Sequence, residues 1–173
     1  MSQDLLQILT GETAAKPVKA TKPAKYDPFD AAVRTVIAEE SDPAAQEWVA
    51  GVIANRLKSG KYGKDLYEVV TAEGQFEPWA RGTAQKVDPN SPDYKATAER
   101  VKDILEGKRD PSGGATHFYA PEAQAKLGRE KPAWDDGTGS KIGNTLFFRE
   151  PGQAKGTELA SILGASVDSA ALD

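Results

Sequence analysis

Residues 36–43 read VIAEESDP and mark a break between two predicted helices. Asp42 and Pro43 predict the start of the second helix, because Asp is a favoured N-cap residue and Pro fits the first helical position. Glu39 then lies at the end of the first helix, directly after three apolar residues. A helix C-terminus disfavours negative charge and burial disfavours ionisation, so we expect a raised pKa for Glu39, as a general acid requires. A solvated surface glutamate is the alternative interpretation.

Helical patterns continue on both sides of this break. The first helix is predicted to begin at Pro28, and the second to cover residues 43–59, before a glycine that suits a helix end. A third helix is predicted from Pro92 to a stop before Gly107. Residues 65–71, DLYEVVT, fit a short helix or a strand, and the pattern does not decide between them.

The last third of the chain favours strands. Residues 110–121, DPSGGATHFYAP, predict a turn that runs into a short strand, and residues 141–149, KIGNTLFFR, end in an alternating aromatic segment. Paired as a small antiparallel sheet, these segments would present polar and aromatic side chains to a carbohydrate groove. The predicted fold class is therefore α+β, with a mostly helical part and a small antiparallel β portion.

The chain divides into three predicted regions. Residues 1–25 combine a short segment that carries several apolar side chains with a linker rich in Ala, Lys and Pro. This combination indicates a docking segment that attaches the domain to a larger assembly. Residues 26–150 form the folded domain, and residues 151–173 form a tail. The first twelve residues, MSQDLLQILTGE, lack the basic start and the apolar length of a signal peptide, so we expect synthesis in the cytoplasm.

Composition excludes several classes of function. The net charge of −4, from 22 basic and 26 acidic residues, gives no electrostatic case for nucleic acid. The chain has no Cys and one His, which excludes disulfides, thiolate or multi-histidine metal sites and a Cys/His peptidase. No apolar run reaches membrane-spanning length. We expect neither a metal nor another cofactor.

Three polar or aromatic residues are candidates for a cleft. Asn55 lies among small and apolar residues, where its amide would satisfy a nearby backbone group or orient a catalytic acid. Gln75 and Phe76 would suit a cleft wall, as an amide for sugar hydroxyls beside a ring for stacking. A turn packed by aromatic residues is the alternative for this pair.

A series of sequence blocks in a fixed order resembles one family, the SleB/CwlJ-type cell wall hydrolases, which include spore cortex-lytic enzymes and bacterial and phage relatives. The blocks are RTVIAE at 34–39, VAGVIANR at 49–56, QF at 75–76, DPSGGATHFY at 110–119, Trp134 and IGNTLFF at 142–148. The resemblance covers about residues 31–149. It implies a lysozyme-like helical part with a β portion lining a glycan cleft.

The resemblance also implies an activity and an acid. Family members cut glycan strands between N-acetylmuramic acid and N-acetylglucosamine, and several are lytic transglycosylases. The motif acid of the family maps to Glu39. Glu40 is the runner-up, because Glu40 and Ser41 resemble the Glu-Ser pair of other lytic transglycosylases and because the residues after Glu39 depart from the family pattern.

A lytic transglycosylase needs only one acid. That group protonates the bridging oxygen and then takes the proton from the C6 hydroxyl as a 1,6-anhydro ring closes. A typical hydrolase needs two carboxylates, ~5–5.5 Å apart for retention or ~6.5–9.5 Å for inversion. Glu73 and Glu77, which flank Gln75 and Phe76, are the only candidates for a second carboxylate. We therefore predict the lytic reaction, with a muramidase-type hydrolase as the alternative.

The remaining candidates follow from the predicted sheet and the resemblance. Thr116 and Tyr119 would reach the reacting sugar. His117 is a candidate acid–base group, or else a packing or sugar-contacting residue. Trp134 would stack on a sugar or close the core. Lys141 would meet a muramic lactyl or peptide carboxylate, unless it is simply solvated.

The predicted partner is the peptidoglycan glycan strand, with virion proteins as a further partner of residues 1–25. A small lytic domain on a tether suits a bacteriophage lysin, either an endolysin or a virion-borne enzyme that opens the wall. A non-catalytic peptidoglycan-binding or virion structural module is the alternative from another class.

Overall fold

The computed structural model describes residues 25–150, so the predicted docking segment (except Lys25) and the predicted tail lie outside the described residues. Six α-helices and three β-strands make up the described part. They are α1 (Pro28–Glu39), α2 (Pro43–Ser59), α3 (Leu66–Thr71), α4 (Glu77–Ala80), α5 (Pro92–Leu105), β1 (Ala115–Tyr119), α6 (Pro121–Lys126), β2 (Ser140–Ile142) and β3 (Thr145–Arg149). The architecture is the predicted α+β class.

The break between α1 and α2 forms as its residues predict. Helix α1 ends at Glu39, and Glu40 follows in an extended conformation. The Asp42 side chain caps α2 by accepting a hydrogen bond from the Ala45 amide at 2.9 Å. Gly60 ends α2 at a φ of 68°, a left-handed conformation in which glycine is favoured. Glu39 is thereby fixed at the last turn of α1, and three residues separate it from the start of α2.

Helix α2 lies at the centre of the domain and packs against α1, α3, α5 and β1. Its central apolar residues are fully buried, and they meet apolar residues of the other helices and of the sheet. This arrangement places one side of α2 under the sheet and the other side against helices. The core therefore joins the helical part to the β portion, as a layered α+β domain requires.

The three strands form one antiparallel sheet in the order β1-β3-β2. His117 pairs with Phe148 and Tyr119 pairs with Leu146, after a bulge between residues 115 and 117. A bulge turns the strand locally and re-aims the side chains that follow it. Phe118 consequently faces the core, whereas His117 and Tyr119 face the aromatic side chains on the other side of the sheet.

The structure decides one open case and adds elements that sequence patterns did not predict. Residues 66–71 form α3, capped by Asp65, and not a strand. Residues 77–86, for which no helix was predicted, contain α4 and one turn of 3₁₀ helix. Helix α6 was also not predicted, because it buries no residue and so shows no apolar periodicity. Within residues 25–150, no helix combines the length and apolar character needed to cross a membrane.

Candidate active site

A cleft of about 300 Å³ opens beside the end of α1. It is lined by the end of α1, by Arg56 of α2, by residues of β1 and β3, and by α6 with the turn after it. The lining residues are Glu39, Glu40, Arg56, Gln75, Glu77, Phe118, Tyr119, Ala120, Ala123, Gln124, Leu127, Arg129 and Thr145. Three carboxyl groups and two guanidinium groups thus share one concave surface, which is typical of a site for a polar ligand.

Glu39 has the most perturbed carboxyl group in this cleft. Its pKa is raised to about 7, mainly by burial and also by the nearby carboxylates of Glu77 and Glu40, while Arg56 and Arg81 oppose the shift. The raised pKa that the sequence predicted is therefore confirmed. A carboxyl group with this pKa is protonated in a large fraction of molecules at neutral pH, and it exchanges its proton readily.

Glu40 also lines the cleft but is held in a different way. Its carboxylate accepts a hydrogen bond from the hydroxyl of Thr145, which is fully buried on β3. Its backbone carbonyl accepts a hydrogen bond from the Gln46 side chain at 2.7 Å. These two contacts fix the break between the helices to the sheet on one side and to α2 on the other. The Glu40 carboxylate is thus held by a structural hydrogen bond to the sheet.

Arg56 lines the same cleft as Glu39, and its side chain is buried. Its Nε donates to the Thr116 carbonyl at 2.8 Å, and its Nη1 donates to the Gln75 carbonyl and side-chain oxygen at 3.3 and 3.2 Å. The rings of Tyr62 and Phe76 lie 5.0 and 4.9 Å from its central carbon. Burial lowers the pKa of Arg56, but a guanidinium stays charged in proteins. A fixed positive charge therefore lines the same cleft as Glu39, close enough to lower the Glu39 pKa.

The two candidates for a second carboxylate separate in the structure. Glu77 lines the cleft and forms ion pairs with Arg81 at 2.6 Å and with Arg129 at 3.1 Å. Glu73 lies in a different cavity, beside Trp79. Only Glu77 therefore shares the cleft with Glu39, and two arginines occupy its carboxylate.

The predicted sugar-binding residues divide between the cleft and the core. Gln75 and Tyr119 line the cleft, as predicted. The prediction for Phe76 was wrong, because its side chain is 4% exposed and packs against Arg56 and Phe118 in the core. This packing matches the alternative, a turn packed by aromatic residues. Thr116 is also buried, and its hydroxyl lies 2.9 Å from the Nδ1 of His117. Neither of these two side chains lines the cleft.

His117 and Trp134 lie on the outer side of the sheet, away from the cleft lining. The Trp134 ring packs 5.1 Å from His117, 5.6 Å from Tyr119 and 5.2 Å from Phe148. Burial lowers the pKa of His117 and the charge of Arg56 lowers it further, so its neutral form is favoured. Both residues therefore pack within an aromatic cluster, and Lys141 is exposed on the edge strand β2.

Asn55 binds the turn before β1. Its side-chain nitrogen donates to the Asp110 carboxylate at 3.0 Å, to the Ser112 hydroxyl at 3.2 Å and to the Ala115 carbonyl at 3.0 Å. These contacts match the first of its two predicted roles, in which it satisfies nearby polar groups. They position the strand that carries Tyr119, and no hydrogen bond joins Asn55 to Glu39 within the described residues.

Sequence reasoning missed part of the cleft. Thr145 lies in the IGNTLFF block but was not predicted to line the cleft, although a Thr on a buried strand needs a hydrogen-bond partner, and this need is a usable signal. Gln124, Leu127 and Arg129 were not singled out, because nothing local to α6 indicates that the segment covers a cleft. Among residues 25–150, no group of three or more His, Cys, Asp or Glu side chains is arranged to hold a metal ion.

Comparisons with known proteins agree with this fold. The class that emerges is an α+β domain in which a helical part carries a largely buried acid beside a small antiparallel sheet. The catalytic domain of the Bacillus cereus SleB protein, known from a crystal structure, is similar in fold, with a TM-score of 0.54 and 23% sequence identity. The match covers 78% of this chain and 100% of that chain.

The family model described as Cell Wall Hydrolase matches residues 29–148. The chain belongs to this family, and it is therefore a cell wall hydrolase domain that acts on peptidoglycan. No curated protein matches the chain.

Proposed function

We propose that the chain is a lytic transglycosylase that cleaves glycan strands between N-acetylmuramic acid and N-acetylglucosamine, with Glu39 as its single catalytic acid. The observation that carries this proposal is the contrast among the three carboxyl groups of the cleft. Glu39 has a pKa of about 7, whereas Glu40 accepts a hydrogen bond from Thr145 and Glu77 is paired with two arginines. One proton-exchanging acid is sufficient for this reaction.

The proposed reaction has two proton transfers through the same group. Protonated Glu39 donates its proton to the bridging oxygen as the bond from that oxygen to C1 of muramic acid breaks. The C6 hydroxyl oxygen of the same sugar then bonds to C1, and the Glu39 carboxylate takes the hydroxyl proton. The products are a 1,6-anhydro sugar and a free hydroxyl on the leaving sugar, and the acid is restored.

Arg56 would stabilise the carboxylate between the two transfers. Its guanidinium is fixed by three hydrogen bonds and lies close enough to lower the Glu39 pKa. A fixed positive charge in a partly dry cleft acts without first reorienting solvent. The charge would therefore offset part of the cost of ionising Glu39, while burial keeps the protonated form populated.

A muramidase-type hydrolase is the second candidate, because Glu77 lines the same cleft as Glu39. Its carboxylate would have to leave Arg81 or Arg129 in order to activate a water molecule or attack C1. Both ion pairs are exposed, so this change costs little free energy. The products distinguish the two candidates, because hydrolysis gives reducing ends in place of anhydro ends.

Mass spectrometry of digested peptidoglycan sacculi tests the assignment. We expect anhydro-muropeptides from the wild type and from Glu73→Gln, a control that removes an acid outside the cleft, and none from Glu39→Gln. Loss of product only in Glu40→Gln would keep the function and move the acid. Reducing ends that depend on Glu77 would favour the hydrolase. No soluble product from folded wild type would favour a non-catalytic binding module.

We also propose that the chain acts as a bacteriophage lysin, either an endolysin or a virion-borne enzyme. The support is the composition of residues 1–25, in which a few apolar residues precede a linker rich in Ala, Lys and Pro. Such a segment suits attachment to virion proteins. Removal of residues 1–25 is expected to leave glycan cleavage intact and to abolish co-sedimentation with phage particles from the same infection.

A further inference from the structure

A second cavity, of about 350 Å³, lies next to the catalytic cleft. One wall is a stripe of α5 made by Asp93, Thr97 and Arg100, whose spacing of four and three residues places them on one helix face. The other wall is the break between α1 and α2, where Glu40 lines both cavities. We call this second cavity the α5 groove.

Arg100 is the unusual residue of the α5 groove. Its Nη2 donates to the Gln46 side-chain oxygen and, at 3.2 Å, to the Thr97 hydroxyl. Its Nε is buried and has no hydrogen-bond partner in the described part of the chain. Its Nη1 makes no hydrogen bond to residues 25–150 and is not among the buried unpartnered atoms. Arg100 lines the α5 groove, so this nitrogen, which has no hydrogen-bond partner among residues 25–150, is available to a ligand there.

No carboxylate lies within ion-pair distance of Arg100 in the described residues, although it is half-buried. Four other arginines do have such partners, namely Arg34, Arg81, Arg109 and Arg129. A partly buried guanidinium without a counter-charge loses hydration that only an anion replaces fully. A carboxylate suits this position best, because the planar guanidinium donates paired hydrogen bonds to it.

The charges around Arg100 define the ligand further. Asp93 lies two helical turns away on the same face, and Glu40 lines the groove from the break between α1 and α2, so one positive and two negative side chains line the groove. A purely anionic ligand would be repelled by these acids. A ligand that carries both a carboxylate and an ammonium group matches all three charges.

We propose that the α5 groove binds the stem peptide of peptidoglycan, with a peptide carboxylate on Arg100 and a peptide ammonium group beside Asp93. The inference rests on the proposed function, because a glycan strand in the catalytic cleft brings a peptide-bearing muramic acid next to Glu40. The stem peptide is zwitterionic when its diamino acid is not cross-linked. The enzyme would therefore favour glycan strands that carry uncross-linked stem peptides.

The contact to Gln46 links this groove to the acid. Gln46 accepts from Arg100 and donates to the carbonyl of Glu40, the residue after Glu39. A carboxylate bound at Arg100 would hold this chain of hydrogen bonds in place. Peptide binding would thus also position the end of α1, in addition to adding affinity.

Calorimetric titration with a muramyl tetrapeptide tests the site directly. We expect the wild type and the control Lys102→Gln, which removes an exposed charge from the same helix, to bind the peptide. We expect Arg100→Gln, and wild type titrated with the peptide whose carboxylates are converted to amides, to bind about tenfold more weakly or worse. Asp93→Asn should weaken binding of a peptide with a free ammonium group. Equal binding by wild type and Arg100→Gln would overturn the proposal.

Cleavage rates separate recognition from folding. Peptide-bearing glycan strands are compared with strands from which an amidase has removed the peptides. We expect the wild type to cleave the first faster, and the ratio of the two rates to fall towards one in Arg100→Gln and to recover in part in Arg100→Lys. An equal fall on both substrates would mean that Arg100 only clamps Gln46, and would overturn the proposal. If the wild type cleaves neither substrate, the proposed function fails, and the titration still decides whether the groove binds peptide.

Discussion

Glu39 is kept from water at the end of a helix, and this position has a cost for stability. The folded protein holds the Glu39 proton with a pKa of about 7, against an ordinary value of 4.5. The folded state therefore binds more protons than the unfolded chain between these values. The proton bound to Glu39 stabilises the folded state. This stabilisation is complete below the pKa of Glu39 in the unfolded chain, and it is lost as the pH rises through the pKa in the folded protein. The free energy of unfolding should thus decline from mildly acidic to neutral pH.

The variant Glu39→Gln is expected to be more stable than the wild type, because it removes an ionised group from a buried position. We expect the gain to be about 3 kcal/mol at about pH 8 and about 1 kcal/mol at about pH 5. Chemical denaturation at both pH values measures it. The exposed Glu73→Gln serves as the control, and a gain that does not grow with pH would contradict the burial argument.

The charge of Arg56 should control the upper pH limit of activity. Because Arg56 lowers the Glu39 pKa, Arg56→Gln is expected to move the high-pH limb of the cleavage profile upwards from about pH 7, and Arg56→Lys to keep it close to the wild-type position. Rates of glycan cleavage across pH measure this. An unchanged limb in Arg56→Gln would show that Arg56 only supports the fold.

At the scale of the elements, α6 differs from the other five α-helices of the described residues because it buries none of its residues. In the turn after α6, Arg129 forms an exposed ion pair with Glu77. Exposed ion pairs contribute about 0–1 kcal/mol, so little free energy holds this wall in place. The segment from Pro121 to Arg129 is thus the least stabilised part of the cleft.

Hydrogen exchange should report this difference between helices. We expect the backbone amides of α6 to exchange far faster than those of α2, because local opening of α6 exposes almost no apolar surface. Exchange measured by mass spectrometry resolves the two helices. Binding of a glycan fragment should slow exchange in α6, and protection of α6 equal to that of α2 in the unbound protein would contradict the expectation.

The elements also show what local sequence signals are able to predict. The starts of α1, α2 and α5 follow from Asp-Pro or Ser-Pro pairs, and the end of α2 follows from Gly60, because caps act within a few residues. Residues 65–71 were ambiguous, since a segment of that length satisfies both periodicities. Helix α6 was missed, because its position depends on the cleft and not on its own composition.

For the whole molecule, the packing of α2 against the turn before β1 decides whether the helical part and the sheet meet. A Cβ atom placed on Gly51 would lie 2.7 Å from the Ser112 hydroxyl and 2.9 Å from the Asp110 carboxylate. Both side chains take part in the hydrogen bonds that fix this turn to Asn55. Glycine at position 51 therefore permits the close approach of the two parts.

The variant Gly51→Ala is expected to lower the free energy of unfolding by about 1–3 kcal/mol, although alanine favours helices. Urea denaturation measures the loss. The double variant Gly51→Ala with Ser112→Ala should lose less than the sum of the single variants, because the second change removes one of the clashing atoms. Strict additivity would show that the clash is not the cause.

At the scale of the whole molecule, only some of the residues that were predicted to lie at the cleft do so. Glu39, Gln75 and Tyr119 lie in the cleft, and the assignment of Glu39 as catalytic acid stays a prediction. Phe76 and Thr116 were expected at the cleft, but both are buried and neither lines it. A residue's membership of a motif does not reveal which way its side chain faces, because the bulge in β1 and the packing of Arg56 decide that in three dimensions.

The break between α1 and α2 has a consequence for how this domain tolerates changes in length. Its three residues connect two capped helices, and Glu40 is bound to both β3 and α2. An inserted residue here would rotate Glu39 relative to the sheet or release these hydrogen bonds. Insertions between α1 and α2 should therefore be rare among functional relatives. In the loop between α6 and β2, residues 127–133 are mostly exposed, whereas Trp134 packs against the sheet, so insertions are expected to accumulate before Trp134.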